Sequence, residues 1–259
     1  MSLLESYYQT VTKILAGVME SQAGAIQEAG RLGAEALLNG GLIHAFGTGH
    51  SHMLAEELFS RAGGLPLVNA IIEPSLTLVE GSQRSSSFER LPGLAERLLA
   101  LEPLSPGDLM IIASNSGRNA VPVEAAIYAR ERGLKVVAIT SLAHSRSQPA
   151  THASGRRLFE LADVVIDNLG IPGDAALEVP GSPTRACATS TVVGSFIVQG
   201  IVAEVVERLV EAKLDPLPLM RSGNLDDARV HNARVLATYR DRLARIRTYD
   251  DPTLRAPHG

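Results

Sequence analysis

The chain has 259 residues, 45% of them hydrophobic and 20% charged, with a formal net charge of −4. That length and balance suit a folded domain with a sizeable core, and the slight acidity gives no basis for electrostatic attachment to nucleic acid or an anionic membrane. A single cysteine, Cys187, excludes an intrachain disulfide. With no apolar run of about 18 residues and no basic-then-apolar leader in Met1-Ser2-Leu3-Leu4-Glu5, the expectation is a cytoplasmic protein without a membrane span.

Residues 3–38 predict one long helix, with Leu4, Val11, Ile14, Leu15, Val18, Ile26, Leu32 and Leu37 apolar and Asn39-Gly40-Gly41 as its stop. An alternation follows: strand 42–46, helix 52–63, strand 66–72, helix 93–101, strand 108–113, helix 120–132, strand 134–140, helix 156–161 and strand 163–167. Short apolar strands separated by helices predict an α/β fold, a doubly wound parallel five-stranded sheet with helices on both faces. Segments 73–90 and 168–184 are polar and rich in Gly, Ser or Pro and read as long loops. A second long helix is expected over 185–213, with Cys187 packed inside it, ending at Asp215-Pro216-Leu217-Pro218. A last amphipathic helix, 226–247, would carry Val230, Ala233, Leu236, Ala237, Leu243 and Ile246 on its apolar stripe, followed by a frayed tail. The expected division is a domain over 1–214 and a helical extension over 215–259.

Two turns between a strand and a helix carry the chemistry: Gly47-Thr48-Gly49-His50-Ser51 and Ser114-Asn115-Ser116-Gly117-Arg118-Asn119. Helix N-termini present unpaired N–H groups and partial positive charge, and short hydroxyl and amide side chains add donors. Two such turns at one sheet edge would enclose a small phosphorylated, hydroxyl-rich ligand. The first turn fails as a dinucleotide fingerprint because His52 stands at the third glycine, although Glu73 ends the next strand where a ribose-binding acid would sit. It fails as a nucleophile elbow because Met53 replaces the last glycine, and no Gly-Lys pair allows a Walker loop. A tight turn without a ligand is the plain alternative for 47–51, and an exposed salt bridge the plain alternative for Arg118.

In these turns the chain resembles the sugar isomerase (SIS) family of phosphosugar-binding domains, over residues 3–213. It is most similar to the phosphoheptose-isomerase branch, whose helix after the first turn carries Ala-Glu-Leu-x-x-Arg; here the run is Ala55-Glu56-Glu57-Leu58-Phe59-Ser60-Arg61. The resemblance implies that Ser51, Ser114, Asn115, Ser116 and Asn119 hold the phosphate, and Gly47, Thr48 and Gly49 of the first turn are expected to bind the substrate with them. It also implies that 73–90 closes over the sugar and that Glu57 is the catalytic carboxylate of an aldose–ketose isomerisation in carbohydrate metabolism, without a redox cofactor; metal binding in that branch uses the last long helix, where this chain departs from it, so no metal or other cofactor is expected. A helix-face acid paired with Arg61 at i+4 is the structural alternative for Glu57.

One departure matters: that branch has an acid–base histidine in the last long helix, where this chain has Gln199 or Gly200 and no histidine over 185–213. His231 is the substitute candidate, reaching a neighbouring subunit's site, beside its plainer reading as a solvated helix residue. His50 and His52 are two apart, a weak ligand pair. Asp167, Asn168 and Asp174 either bind sugar hydroxyls or cap loops. A non-catalytic phosphosugar sensor and a sugar-phosphate lyase or etherase stay open beside the isomerase. Many sensors of the fold carry a DNA-reading domain, of which residues 1–40 supply one helix. The apolar surface of 3–38 and 185–213 predicts a homodimer or homotetramer.

Overall fold

The computed structural model describes residues 1–246. Helix α1 (Leu3–Leu38) opens on a capping box in which Glu5 N donates to Ser2 Oγ (3.2 Å) and Ser2 N donates to Glu5 Oε2 (2.7 Å). The Ser2 amide holds the Glu5 carboxyl below the usual carboxylate range. Strands β1 (Ile43–Gly47), β2 (Val68–Ile71), β3 (Leu109–Ala113), β4 (Lys135–Thr140) and β5 (Val164–Asp167) form one parallel sheet in the order β2-β1-β3-β4-β5. Register pairs Ile43 with Val68 on one side and with Leu109 on the other.

Side chains alternate between two cores, as period-two strands covered on both faces must. Ile43, Ala45, Leu109, Ile111, Val137 and Ile139 face a core shared with α1 and with α7 (Ser190–Glu211). Phe46, Met110, Ile112, Val136 and Ala138 face the other, closed by α4 (Leu94–Leu99) and α5 (Ala120–Glu131). Helices α1 and α7 pack on each other through small residues: a Cβ on Gly30 would lie 2.3 Å from Glu204 Cβ. Much of the apolar surface expected to form a subunit interface is therefore used within the chain. Leu4, Tyr8 and Met19 stay exposed on α1, and Leu4 leaves the stripe assigned to it.

Several elements differ from expectation. Segment 73–90 is not a plain loop: it holds a turn of 3-10 helix at Pro74–Leu76 and α3 (Ser82–Glu89), tied together by Ser85 Oγ donating to Leu76 O (2.9 Å). Helix 52–63 stops at Leu58 as α2 (His52–Leu58), and helix 156–161 shrinks to one 3-10 turn, Leu158–Glu160. Segment 168–188 contains the hairpin β6 (Ala175–Leu177) and β7 (Ala186–Ala188), laced by Arg185 Nη2 donating to Ala176 O (2.6 Å) and Nε to Ala175 O (3.0 Å). Cys187 therefore lies exposed in a strand at φ +64°, not inside a packed helix.

The last predicted helix is divided at Tyr239 into α8 (Ala228–Thr238) and α9 (Arg240–Leu243). The break changes the buried face: Val230 is exposed, while Val235, Tyr239, Leu243 and Ile246 join the α1/α7 core. Arg242 anchors this segment, donating to Leu37 O (2.7 Å) and Gly41 O (2.6 Å). Residue 247 and the tail expected after it lie outside the described residues. Among the described residues no helix is long and apolar enough to cross a membrane.

Candidate functional site

In a parallel sheet of order 2-1-3-4-5, the chain leaves β1 and β3 in opposite directions, opening a crevice beyond their carboxyl ends. The two donor-rich turns leave those two strands. They line one cavity of about 280 Å³, to which Thr48, His50 and Ser51 come from the first turn and Ser114, Asn115 and Ser116 from the second. Its other walls are Glu89 at the end of α3, His144 in α6 (Leu142–Arg146), Asp174, and Ser190 and Thr191 at the start of α7.

Local packing forces the shape of each turn. A Cβ on Gly47 would lie 2.4 Å from Ser51 O, so only glycine lets the chain double back there. Gly117 has φ +57°, and its amide donates to Ser114 Oγ (3.1 Å), curling the second turn around its own hydroxyl. That turn is braced from behind. Thr140 Oγ1 and Ser141 N both donate to Asn115 O (3.2 Å each), and Asn168 Nδ2 donates to Asn115 Oδ1 (3.0 Å).

Donors facing the cleft are left over. The side-chain hydroxyls of Ser51, Ser116 and Thr191 and the amides of Asn115 and Ser116 have no protein partner among the described residues. Among the described residues no lysine or arginine lines the cavity, and its ionisable groups are Glu89, Asp174, His50 and His144. An anion there would be held by neutral hydroxyl and amide donors of the two turns. Asp174 is already occupied: Oδ1 accepts from Thr189 N (3.1 Å), Thr189 Oγ1 (3.3 Å) and Ser190 N (2.9 Å), and Oδ2 from Ser190 Oγ (2.5 Å). Asp167 likewise accepts from Leu142 N and Leu169 N (3.0 Å each), and Asn168 Oδ1 from Gly170 N (2.9 Å). All three make capping contacts.

The other expected residues fall elsewhere. Asn119, buried at the start of α5, lines a neighbouring cavity of about 400 Å³ with Arg90, Thr151 and His152. Glu57 does not line the cleft; its Oε1 accepts from Arg61 Nη1 and from Gln199 Nε2 (2.9 Å). Gln199 thus meets Glu57 in the region where the resemblance calls for a histidine. His231 Nε2 contacts Leu219 O (2.8 Å) and lines a third cavity of about 540 Å³ beside Gly63 and Arg234. His52 is buried with Nδ1 against Gly49 O while His50 faces the cleft, so the two do not act as a pair. Glu73 caps its own turn, accepting from Ser75 N (3.2 Å) and Ser75 Oγ (2.9 Å).

Sequence reasoning missed Glu89, His144, Ser190 and Thr191. Position at the carboxyl end of β4 was the available signal for His144. Glu89 had none, because its segment reads as a loop.

This crevice on this sheet defines a class. The SIS domain family matches residues 6–141, and the chain belongs to it. A UPF0309 protein of Listeria monocytogenes serotype 4b is 42% identical over 241 residues, covering 93% of this chain and 97% of the relative. Another, from Geobacillus kaustophilus, is 41% identical over 93% of this chain and 96% of its own length. Within the SIS class the chain is a member of the UPF0309 family. The fold is similar to that of a phosphoheptose isomerase from Francisella tularensis (TM-score 0.53, 19% identity, 80% of this chain and 100% of that one). It is also similar to Vibrio vulnificus NanR, solved with ManNAc-6P (TM-score 0.51, 18% identity, 92% of this chain and 69% of that one).

Proposed function

We propose that the cleft beyond β1 and β3 binds a phosphorylated sugar and that the protein interconverts its aldose and ketose forms. The observation that carries the reading is the convergence of two donor turns on one cavity, with Ser51 and Ser116 hydroxyls and Asn115 and Ser116 amides that have no partner among the described residues. A tetrahedral phosphate takes such donors from several directions at once, and neutral donors hold it without a lysine or arginine. That NanR was solved with a sugar phosphate supports the same ligand class. Isomerisation then needs a carboxylate to carry one proton between adjacent carbons and a donor to face the oxygen that gains charge.

Calorimetric titration with sugar phosphates and their unphosphorylated sugars tests the binding. Binding that requires the phosphate and weakens about 10- to 100-fold in Ser116→Ala, the loss of a hydrogen bond to a charged group, supports the reading. Equal binding of phosphorylated and plain sugars refutes it. One observation favours a sensor instead: Glu57 is held by Arg61 and Gln199, with no histidine beside it. Tight binding without turnover of any sugar phosphate would establish that alternative.

A further inference from the structure

We propose that Glu89, the last residue of α3, is the carboxylate that moves the carbon-bound proton, with His144 Nε2–H facing the oxyanion; this rests on the phosphosugar reading above. Among the described residues two carboxylates line the cleft, Glu89 and Asp174. Both oxygens of Asp174 are engaged by the start of α7, and one of them takes three donors. Among the described residues Glu89 is held by one side-chain contact: Thr48 Oγ1, from the first turn, donates to its Oε1 at 2.8 Å. Thr48 is itself buried, so the carboxylate is fixed in direction while Oε2 has no protein partner among the described residues. A base needs this combination of one anchored oxygen and one free oxygen in the same cavity as the phosphate donors. Glu57 likewise has one anchored oxygen, Oε1, which accepts from Arg61 and Gln199, but it does not line the cavity that holds the phosphate donors.

His144 supplies the complementary group. Gly173 N donates to His144 Nδ1 at 3.0 Å, and an acceptor nitrogen carries no proton, so the neutral ring has its N–H at Nε2. That edge has no protein partner among the described residues, and the residue lines the cleft. The neutral donor polarises a carbonyl and keeps its own proton.

The step balances without a co-reactant. Glu89 takes the proton from carbon 2 of the open-chain aldose, and the C–H electron pair becomes the C1=C2 double bond. The carbonyl pair moves to O1, against His144 Nε2–H. The O2 hydroxyl proton then passes to O1, the O2 lone pair forms the new carbonyl at carbon 2, and carbon 1 takes the proton back from Glu89.

The experiment uses the full chain in D₂O with aldose and ketose phosphates of five to seven carbons and N-acetylhexosamine 6-phosphates. NMR reads deuterium uptake at the carbon beside the carbonyl, and calorimetry reads binding of the same compounds. Glu89→Gln is the informative variant because glutamine Oε1 still accepts from Thr48, so the anchor survives and only the base is lost. Uptake should fall by about 100-fold or more while Kd stays within about threefold of wild type. Uptake retained within about threefold in Glu89→Gln overturns the assignment, and Glu57→Gln run beside it then tests the other carboxylate. Wild-type protein that binds but exchanges no compound overturns the assignment and leaves the binding site standing. Absence of phosphate-dependent binding in wild type fails the underlying reading instead, and with it the assignment.

Discussion

Replacing Asp108 by asparagine tests the account of how the sheet is held at the edge opposite the cleft. Asp108 is 1% exposed and sits just before β3. Its Oδ1 accepts from Leu42 N (2.8 Å), and its Oδ2 accepts from Ser105 N (2.9 Å) and His44 Nε2 (3.0 Å). His44 is fully buried in β1, and Asn69 Nδ2 donates to its Nδ1 (3.1 Å), which fixes the ring proton on Nε2, toward Asp108. An asparagine that kept the Leu42 contact would turn its NH₂ toward the Ser105 and His44 N–H groups, donor against donor. The ring cannot switch tautomer without losing Asn69. Arg245 Nη2, 3.7 Å from Oδ2, would lose its counter-charge as well. Leaving the buried Ser105 and His44 N–H groups without an acceptor costs about 1–3 kcal/mol each, a large share of a typical total stability of about 5–15 kcal/mol. Urea unfolding followed by circular dichroism measures the loss, and ligand binding at the distant cleft should persist below the transition. A destabilisation under about 1 kcal/mol would refute the reasoning.

The same residue sets a pH dependence. Burial opposes its ionisation, but the hydrogen bonds from His44, Leu42 and Ser105 outweigh that effect and leave its carboxyl below the ordinary aspartate value. Its contribution is therefore present above an unfolded pKa of about 3.9 and is lost as pH falls through the lower folded value. Wild type should lose its advantage over Asp108→Asn only in strong acid, as parallel unfolding curves at several pH values would show; a constant gap through that range would refute the assignment.

Other expectations follow from the packing and the loop bracing. Gly30→Ala places a methyl 2.3 Å from Glu204 Cβ and should force α1 off α7 at a cost of about 1–3 kcal/mol, read as a lower Tm; an unchanged Tm would contradict the close approach. Arg242→Ala removes two hydrogen bonds to Leu37 O and Gly41 O, and limited proteolysis should then release α8 and α9 before the sheet core is cut. Asn168→Ala deletes the brace on Asn115; sugar-phosphate affinity should fall about tenfold, roughly one hydrogen bond, with Tm changed far less than in Gly30→Ala. Equal affinity would mean that the second turn holds its shape without help.

Legibility tracked how local each signal is. Strands β1 and β3 were readable because they are buried on both faces and appear as short apolar runs, interrupted in β1 only by His44, and the turns after them because glycine and short polar residues mark sharp reversals. Helix α3 was not, since Ser82–Glu89 is polar on nearly every side and depends on Ser85 reaching Leu76. Hairpin β6–β7 was missed for a similar reason: its strands are three residues each, and Arg185 ties them together across the turn. Candidate residues divided the same way. Thr48, Ser51 and Ser114–Ser116 come to the cleft on the two turns that announced it, while Glu57 and His231 depend on what their helices pack against.

The order of apolar and donor-rich segments along the chain was enough to specify a parallel α/β sheet and the two turns that face each other beyond β1 and β3. Backbone periodicity and turn chemistry act over a few residues, so they survive in a linear string. Which carboxylate reaches the cleft, which histidine edge is free, and which aspartate is already satisfied were decided only by tertiary structure. Each depends on a partner far along the chain: Thr48 with Glu89, Gly173 with His144, Ser190 with Asp174. A side chain's availability for chemistry is what remains after its neighbours in space have taken their hydrogen bonds.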